Sequence, residues 1–481
     1  MSAHADNPLP NNPPRWPARL WLGGLVVLAL TLPGSLRFLS TASFRIGEEH
    51  FRLGQHLRNT GVLSINDQPS LYRPPGFPIF VAGVLWTRDH LGLSMPDERA
   101  VVLAHGVLMS LGSLAVYGYF VRRRSVVEAV ALGCLFSFHP VVLIIATSIS
   151  YPLLHLVLVL VATIALATAL RARPRPAGWT LVAGLLWGAA TLARPLSLIL
   201  PPFIVLLALW ELGWKSWRPA LRFSAVFVLG MALIIGPYAW RNYLLSGRLV
   251  AVNAQAGFSF WGVSVEKTAP DADFPAWRPI WREHGMPIFT RLTGATSYNL
   301  DAHYGHVLDL NDAFAQEARR NIAANPGIYL HNVLKTFRVF NTETSAWWIY
   351  RFRVEPRNED PVRPPRTSPA EVFTVIVSFL ALAGLIRGLR RGDPLARTLL
   401  VIYAMFCIAT CIGFPTARYI YPRLALMVLA IPLVCPEGAR LPWRRPSPPG
   451  EEAASPFYLR LSVAFAVVFA ALGAVTVFVA V

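Results

Sequence analysis

The chain has 481 residues, of which 54% are hydrophobic and only 15% are charged. An average soluble domain carries about 25% charged residues, and apolar runs long enough to cross a bilayer recur along this sequence, which excludes a soluble globular protein. The formal net charge is +18, but the arginines gather beside the apolar runs as they do in membrane proteins. The basic charge therefore does not indicate a nucleic-acid partner.

The chain begins with a polar, proline-rich stretch. Residues 1–19 are predicted to form a disordered cytoplasmic tail, and the first span follows at 20–40. Because no small-residue cleavage pattern follows this span, we expect a retained signal anchor. Further spans are predicted at 100–121, 126–147, 151–170, 177–193, 196–213, 221–239, 370–388, 396–414, 419–436 and 458–480. The sequence thus predicts an all-α polytopic membrane protein with about eleven transmembrane helices.

Basic residues predict the orientation of these spans. Clusters of arginine and lysine fall on one side of the membrane, at 122–124, 171–175, 215–222, 387–397 and 439–445. Since cytoplasmic loops carry the excess of basic residues, we expect a cytoplasmic N-terminus and an extracytoplasmic C-terminus. The long segments 41–99 and 240–369 then become extracytoplasmic loops. They separate the first span from a helix bundle at 100–239, and that bundle from C-terminal helices at 370–481.

The second long loop, 240–369, carries helical patterns of its own. Residues 309–325 have a polar start and stop before Pro326, which suits the start of the next helix. In that helix an apolar face and nearby basic residues predict a position on the membrane surface. His303 and His306 lie in the same loop, but two histidines without a third ligand favour a loop pair over a zinc site. We expect no metal there.

The first long loop supplies the candidate catalytic acids. Residues 45–61 predict a helix on which Glu48 and Arg52 share one face. One interpretation is a surface ion pair, worth about 0.2–0.5 kcal/mol. The other is that Glu48 or Glu49 acts as a general base at the membrane surface.

Arginines on the predicted outer side are the candidate anion ligands. In "LYRPPGFPIF", residues 71–80, three prolines restrict the backbone, so Arg73 is expected to keep a narrow orientation in which it binds phosphate bidentately. The alternative is an elbow before a helix at 77–88 that lies in or enters the bilayer. The ends of predicted spans carry Arg194, Arg241 and Arg418. Arginine near lipid marks a partner or a pathway, unless it only reaches towards the interface.

These elements stand in a familiar order. The sequence resembles the GT-C membrane glycosyltransferases, and most of all their bacterial branch, which contains the lipid A aminoarabinose transferase and is related to protein O-mannosyltransferases. The resemblance is carried by "EEHFRLGQHL" at 48–57, "RPPGFP" at 73–78, "AGLLWGAATLARP" at 183–195, "PYAWRNY" at 237–243 and "ARYIYP" at 417–422.

The resemblance implies a GT-C-like fold and a glycosyltransferase of the bacterial inner membrane. Its donor is a polyprenyl-phosphate sugar, and its extracytoplasmic acceptor is a lipid, glycan or protein. An acid deprotonates the acceptor, the anomeric centre is inverted, and Arg73, Arg194, Arg241 and Arg418 hold the departing phosphate. No cofactor is required, although a divalent metal stays open. The family places an aspartate where this chain has Gly47, so the base is expected to be Glu48, with Glu49 second.

Two other functions stay open at the level of sequence. Relatives often carry glutamate at the position of Tyr151, and together with the shifted acid this leaves room for a catalytically inactive GT-C protein in envelope assembly. A polytopic lipid or solute transporter is the third interpretation. The predicted spans contain few acidic residues and no inverted half-repeat is visible, which favours the transferase over a transporter.

Overall fold

The computed structural model describes residues 18–41, 45–46, 48–65, 68–172, 177–265, 281–297, 303–342, 369–413 and 421–435. Of these residues, 84% are helical. The helices are α1 (Ala18–Thr41), α2 (Glu48–Thr60), α3 (Gly76–His90), α4 (Asp97–Phe120), α5 (Val126–Phe138), α6 (Pro140–Ala146), α7 (Pro152–Arg171), α8 (Ala177–Ala193), α9 (Leu200–Leu212), α10 (Trp217–Ser246), α11 (Ala256–Ser264), α12 (Met286–Thr293), α13 (Val307–Ala324), α14 (Pro326–Thr342), α15 (Pro369–Arg390), α16 (Pro394–Ile412) and α17 (Pro422–Ala430).

The predicted spans within the described residues coincide with apolar helices. Among those residues, seven helices are long and apolar enough to cross a membrane: α1, α4, α7, α9 with the turn before it, α10 with the turn before it, α15 and α16. The pair α5 and α6, bent by 48°, makes an eighth if it is one span, while α8 and α17 are shorter apolar helices. The prediction of an all-α polytopic membrane protein is confirmed, and the predicted span 458–480 lies outside the described residues.

The bend between α5 and α6 has a local cause. Pro140 occupies the first position of α6, where its ring interrupts the helix that comes before it. His139 has an extended backbone and its Nδ1 accepts a hydrogen bond from the backbone N–H of Val141 at 3.2 Å. The side chain thus satisfies a donor that the break would otherwise leave without a partner in an apolar environment.

Small residues let the central helices approach closely. A Cβ atom on Gly184 of α8 would lie 2.1 Å from the backbone oxygen of Phe227 on α10, and one on Gly230 would lie 2.5 Å from the backbone oxygen of Leu181. Membrane helices associate through such contacts because lipid provides no hydrophobic drive for their association. The fully buried side chain of Trp187 lies on the same helix, α8.

One end of the bundle is held by basic side chains, and we call it the basic end. Arg171 of α7 binds Asp393 at 2.6 Å, and Arg397 of α16 lies 3.3 Å from the buried carboxylate of Glu211 on α9. Arg124 donates to two backbone carbonyl groups that follow α17. The basic connections that the sequence predicts for one side of the membrane therefore do meet at one end, as far as the described residues reach.

The two long loops fold together at the opposite end. Four short strands, β1 (Arg45–Ile46), β2 (Ser64–Ile65), β3 (Gln68–Pro69) and β4 (Ser148–Ile149), tie the first loop to itself and to the bundle. A separate hydrophobic cluster, here called the loop core, joins residues 53–72 with residues 254–318. Trp261, Phe289 and Phe314 are buried in it.

The helices predicted in the second loop are present as α13 and α14. On α14 the side chains of Leu330, Leu334 and Phe337 are each more than half exposed and lie on one face. The expectation that this face rests on the membrane surface stays a prediction.

Candidate functional site

The start of the first loop is anchored to the transmembrane bundle. Strand β1 pairs in parallel with β4, so that Arg45 lies opposite Ser148 and Ile46 opposite Ile149. This pairing brings the beginning of α2 beside the beginning of α7. The ring of His50 on α2 then lies 5.2 Å from the ring of Tyr151, measured between centroids.

The first predicted pair of site residues meets directly. Glu49, in the first turn of α2, forms an ion pair with Arg73, and both side chains are partly buried, with 19% and 26% of their surface exposed. The guanidinium carbon of Arg73 also lies over the ring of Tyr72, 4.5 Å from its centroid. A partly buried ion pair is screened less than one in bulk water, so Glu49 holds the Arg73 guanidinium in a defined orientation.

A glycine brings this pair to the next arginine. Gly76 is the first residue of α3, and a Cβ atom there would lie 2.5 Å from the backbone nitrogen of Ala193. No side chain fits such a gap, which explains the glycine in "RPPGFP". Because Arg194 follows Ala193 directly, the close contact places the segment that carries Arg73 beside the segment that carries Arg194.

Arg194 is held by two tyrosines from different helices. Only 7% of Arg194 is exposed, and its Nη1 donates to the hydroxyl of Tyr151 at 2.8 Å and to the hydroxyl of Tyr421 at 3.4 Å. The guanidinium also lies over the Tyr151 ring, 4.9 Å from its centroid. The Tyr421 hydroxyl is in turn 3.0 Å from Nδ1 of the buried His155. We call Glu49, Arg73, Tyr151, Arg194 and Tyr421 the site cluster.

Several helices begin around the site cluster. They are α2, α3, α7, α17 and the 3₁₀ helix Pro195–Ile199. The residues that precede the last four of these helices, Pro75, Tyr151, Tyr421 and Arg194, make no side-chain capping bond to their own helix. Helix N-termini carry partial positive charge and backbone N–H groups that lack intrahelical partners, which together attract anions. The arginines and the helix starts therefore favour a negatively charged ligand at the same place.

Arg241 supports the loop that leads to Arg73. Its guanidinium donates to the backbone oxygens of Leu63 at 3.0 Å and Ser70 at 3.1 Å, and to the side-chain oxygen of Asn242 at 2.9 Å. Leu63 and Ser70 flank the β2–β3 hairpin, so these contacts attach the hairpin to α10. Arg241 thus fixes the backbone just before Arg73.

A second polar network fixes α2 on its neighbours. Gln55 donates to Asp97 at 2.7 Å, and Arg88 contacts both Asp97 and Asp89. Arg58 joins the network from α2 by binding Asp89 with its Nε at 2.8 Å. Hydrogen bonds from Arg88 and Arg58 hold the pKa of the Asp89 carboxyl below its ordinary value. The network ties α2 to α3 and α4, and so positions the helix that carries Glu49.

The structure brings together Glu49, Arg73 and Arg194 from the predicted site residues. Glu48 begins α2, but its side chain lies outside the described residues, as does Arg418 altogether. Arg241 lies beside the same loop with its donors on protein oxygens. The catalytic role of Glu48 or Glu49 and the phosphate-binding role of the four arginines stay predictions.

Sequence reasoning missed the partners of Arg194. Tyr151 stood out only as a departure from the family pattern, and nothing singled out His155. Tyr421 lies within the late "ARYIYP" motif, which was the one signal that it belongs near the site. Within the described residues, no three or more His, Cys, Asp or Glu side chains form a group that could hold a metal ion.

Known proteins resemble this chain in structure and not in sequence. No protein-family model matches the chain, and no curated protein matches it. The structure is similar to the archaeal oligosaccharyltransferase AglB from Archaeoglobus fulgidus, solved in complex with an inhibitory peptide and a dolichol-phosphate. That likeness has a TM-score of 0.50 at 15% identity, and covers 96% of this chain and 55% of AglB.

A second solved structure is ArnT from Cupriavidus metallidurans, bound to undecaprenyl phosphate. It has a TM-score of 0.42 at 15% identity, over 86% of this chain and 78% of ArnT. This chain spans about half the length of AglB, and at such identities the likeness shows the fold. The resemblance predicted from the sequence is confirmed at the level of the fold, which this polytopic membrane protein shares with AglB.

Proposed function

We propose that the protein is a membrane glycosyltransferase. It transfers a sugar from a polyprenyl-phosphate donor to an acceptor outside the cytoplasm, with inversion at the anomeric carbon. The observation that carries the proposal is the site cluster, in which Glu49, Arg73 and Arg194 gather among helix starts at the end of the bundle opposite the basic end. A carboxylate next to two guanidinium groups suits a reaction that removes a proton and releases a phosphate.

The chemistry explains why both kinds of group are needed. The acceptor oxygen loses its proton to a base and attacks the anomeric carbon, while the bond from that carbon to the phosphate oxygen breaks. The electron pair of the broken bond leaves with the lipid phosphate, whose negative charge rises by one. Arg73, Arg194 and the surrounding helix N-termini stabilise this charge, and they do so more strongly in a partly buried site than in water.

The two glutamates have different proposed roles. Glu49 contacts Arg73, and that ion pair orients the guanidinium. Glu48 directly precedes it in the first turn of α2 and is our first choice for the general base, with Glu49 as the second. We assign phosphate binding first to Arg73 and Arg194, and expect Arg241 to act mainly by holding the backbone before Arg73.

Charge supports the proposed location. The basic end carries the arginine-rich connections, and the positive-inside rule favours a cytoplasmic position for that end, with the site cluster on the other side. Lipid-linked sugars of a bacterial inner membrane would reach the site from the outer leaflet.

Transfer by the purified protein is the direct test. The protein in nanodiscs is incubated with radiolabelled polyprenyl-phosphate sugars and a cell-envelope extract, and labelled product is counted. The double variant Glu48→Gln, Glu49→Gln is expected to lose about 10²–10⁴-fold in turnover because it lacks a base. Glu317→Gln is the matched control, since Glu317 pairs only loosely with Arg320 at 3.5 Å on the exposed side of α13. Unchanged turnover in the double variant would refute the base assignment.

A non-catalytic role is the second candidate. It is favoured by Tyr151, a phenol bound to Arg194 where the resemblance leads one to expect an acid. In a strain that lacks the gene, full complementation by the double glutamine variant would support this role, and failed complementation with normal expression supports the enzyme.

A further inference from the structure

A small cavity lies in the loop core between the two long loops. Its volume is about 20 Å³, and its walls include Tyr72, Phe258, Trp281, Val307 and Asn311. Most of the lining is aromatic or aliphatic. Such a volume has room for about one water-sized group, which is also the size of a methyl group. An apolar wall favours the methyl group over water, because water there would find few hydrogen-bond partners.

One amide at the cavity has a fixed orientation. The Oδ1 atom of Asn311 accepts a hydrogen bond from the backbone N–H of Gly257 at 2.8 Å. Within the Asn311 amide only the oxygen can accept a hydrogen bond, so Nδ2 is the group left to donate. The two backbones also pack closely here, because a Cβ atom on Gly257 would lie 1.9 Å from the Asn311 backbone oxygen. The cavity thus combines largely apolar walls with hydrogen-bond donors, among them the Asn311 amide.

The cavity adjoins the site cluster through Tyr72. The side chain of Asn253 donates to the Tyr72 backbone oxygen at 3.0 Å, and that of Gln255 donates to the Tyr72 hydroxyl at 3.2 Å. The Arg73 guanidinium, which belongs to the site cluster, lies over the ring of the same Tyr72. A group seated in the cavity would therefore lie one residue away from the Glu49–Arg73 pair.

We propose that this cavity receives the acetamido methyl group of a 2-acetamido sugar in one of the two substrates. The methyl group packs against Tyr72, Phe258 and Trp281, and the acetamido carbonyl oxygen accepts a hydrogen bond from Nδ2 of Asn311. The inference rests on the proposed function for its reaction, and adds a substrate class to it. A sugar hydroxyl in the same place would lose most of its bonds to water, whereas a methyl group loses none.

The size of the cavity sets a sharp chemical limit. An N-propionyl group is one methylene longer than an N-acetyl group and would overfill the space. One methylene in an apolar pocket changes selectivity by about 10–200-fold. Val307, which is 2% exposed and lines the cavity, offers a way to change that limit in both directions.

Saturation-transfer difference NMR on the full chain in nanodiscs tests the proposal. The probes are the methyl glycosides of N-acetylglucosamine, N-acetylgalactosamine, N-propionylglucosamine and glucose. The acetamido methyl protons are expected to receive the strongest saturation, and N-acetyl probes to bind about tenfold more tightly than N-propionyl or unsubstituted ones.

Variants at Val307 separate the cavity from general packing. Val307→Ile fills the space and is expected to remove the N-acetyl preference, while Val307→Ala enlarges it and shifts the preference towards the N-propionyl probe. Val62→Ile, at a position that is 49% exposed, is the matched control. Thermal unfolding of each variant identifies any loss that comes from misfolding alone.

Equal binding of the N-acetyl and glucose probes to the wild type would overturn the proposal. If transfer from lipid-phosphate sugars still proceeds, the cavity assignment fails while the proposed function stands. If the N-acetyl preference is present without any transfer, the cavity assignment stands and the proposed function fails. A transfer assay with two donors, lipid-phosphate-linked N-acetylglucosamine and lipid-phosphate-linked glucose, shows which substrate carries the acetamido group. Preference for the first donor assigns the group to the donor. Equal use of the two donors assigns it to the acceptor.

Discussion

Arginines line both ends of the helix bundle, and their partners differ from one end to the other. At the basic end Arg171 and Arg397 contact the carboxylates of Asp393 and Glu211, which neutralise them. At the other end Arg194 is buried more deeply, and it donates hydrogen bonds to the phenols of Tyr151 and Tyr421. A phenol orients a guanidinium without cancelling its charge.

The difference separates two uses of the same residue type. An arginine bound to a carboxylate links two helices, and the pair keeps little net positive charge that could attract a ligand. Phenol oxygens and helix N-termini around a guanidinium add no negative charge, so they favour the binding of an anion beside it. Arg73 lies between these cases, since its partner Glu49 is itself a candidate to take part in the reaction. The comparison predicts that changes at the two ends will affect different properties.

The largest expected effects come from one substitution at each end. Arg194→Gln is expected to lower turnover by about 10²–10³-fold, because it removes a fixed cation from the departing phosphate. Arg397→Gln leaves the carboxylate of Glu211, only 4% exposed, without that partner, and is expected to lower the free energy of unfolding by about 3–5 kcal/mol. Its turnover per folded molecule should match the wild type. Transfer assays and thermal unfolding measure the two properties, and an equal fall in turnover for both variants would contradict the distinction.

The next prediction concerns the contact that assembles the site. Gly76→Ala forces a methyl group against the backbone of Ala193, which is expected to cost about 1–3 kcal/mol of stability and to displace Arg73 from Arg194. Turnover should fall by about tenfold or more, as small misplacements do in active sites. Gly83→Ala, on the same helix, meets nothing within 4 Å and is the matched control. Equal turnover of the two variants would show that the close contact does not position the site.

A smaller effect is expected from the phenols. Tyr151→Phe and Tyr421→Phe each remove one acceptor from Arg194 and keep the ring, so each is expected to lower turnover by about three- to tenfold, as a lost hydrogen bond of about 1 kcal/mol predicts. Tyr243→Phe, at an exposed position of α10, serves as the control. The double variant tests coupling: since both phenols orient one guanidinium, the two losses should not add.

The sequence predicted the single residues of this site better than the hydrogen bonds between them. Hydropathy was enough for the spans that the structure describes, and the family-like segments carry Glu49, Arg73 and Arg194, because both signals are local. The bond between Tyr421 and His155 joins residues 266 positions apart and depends on how α7 and α17 pack, which no local pattern records. Arg241 was expected near the site, but its hydrogen bonds go to backbone carbonyls that only the folded loop reveals.

The smallest expected effect is a pH dependence of the network that ties α2 to α3. Bonds from Arg88 and Arg58 lower the pKa of Asp89 below its ordinary value of 3.8. A carboxyl with a lowered pKa in the folded state contributes stability that is fully present above the unfolded pKa and is lost as the pH falls through the folded pKa. As the pH falls below about 4, the midpoint of thermal unfolding should therefore fall more steeply in the wild type than in Asp89→Asn. Parallel curves for the two proteins would show that these exposed ion pairs add nothing, and that α2 is held on α3 by contacts such as that of Gly54 with Val81 alone.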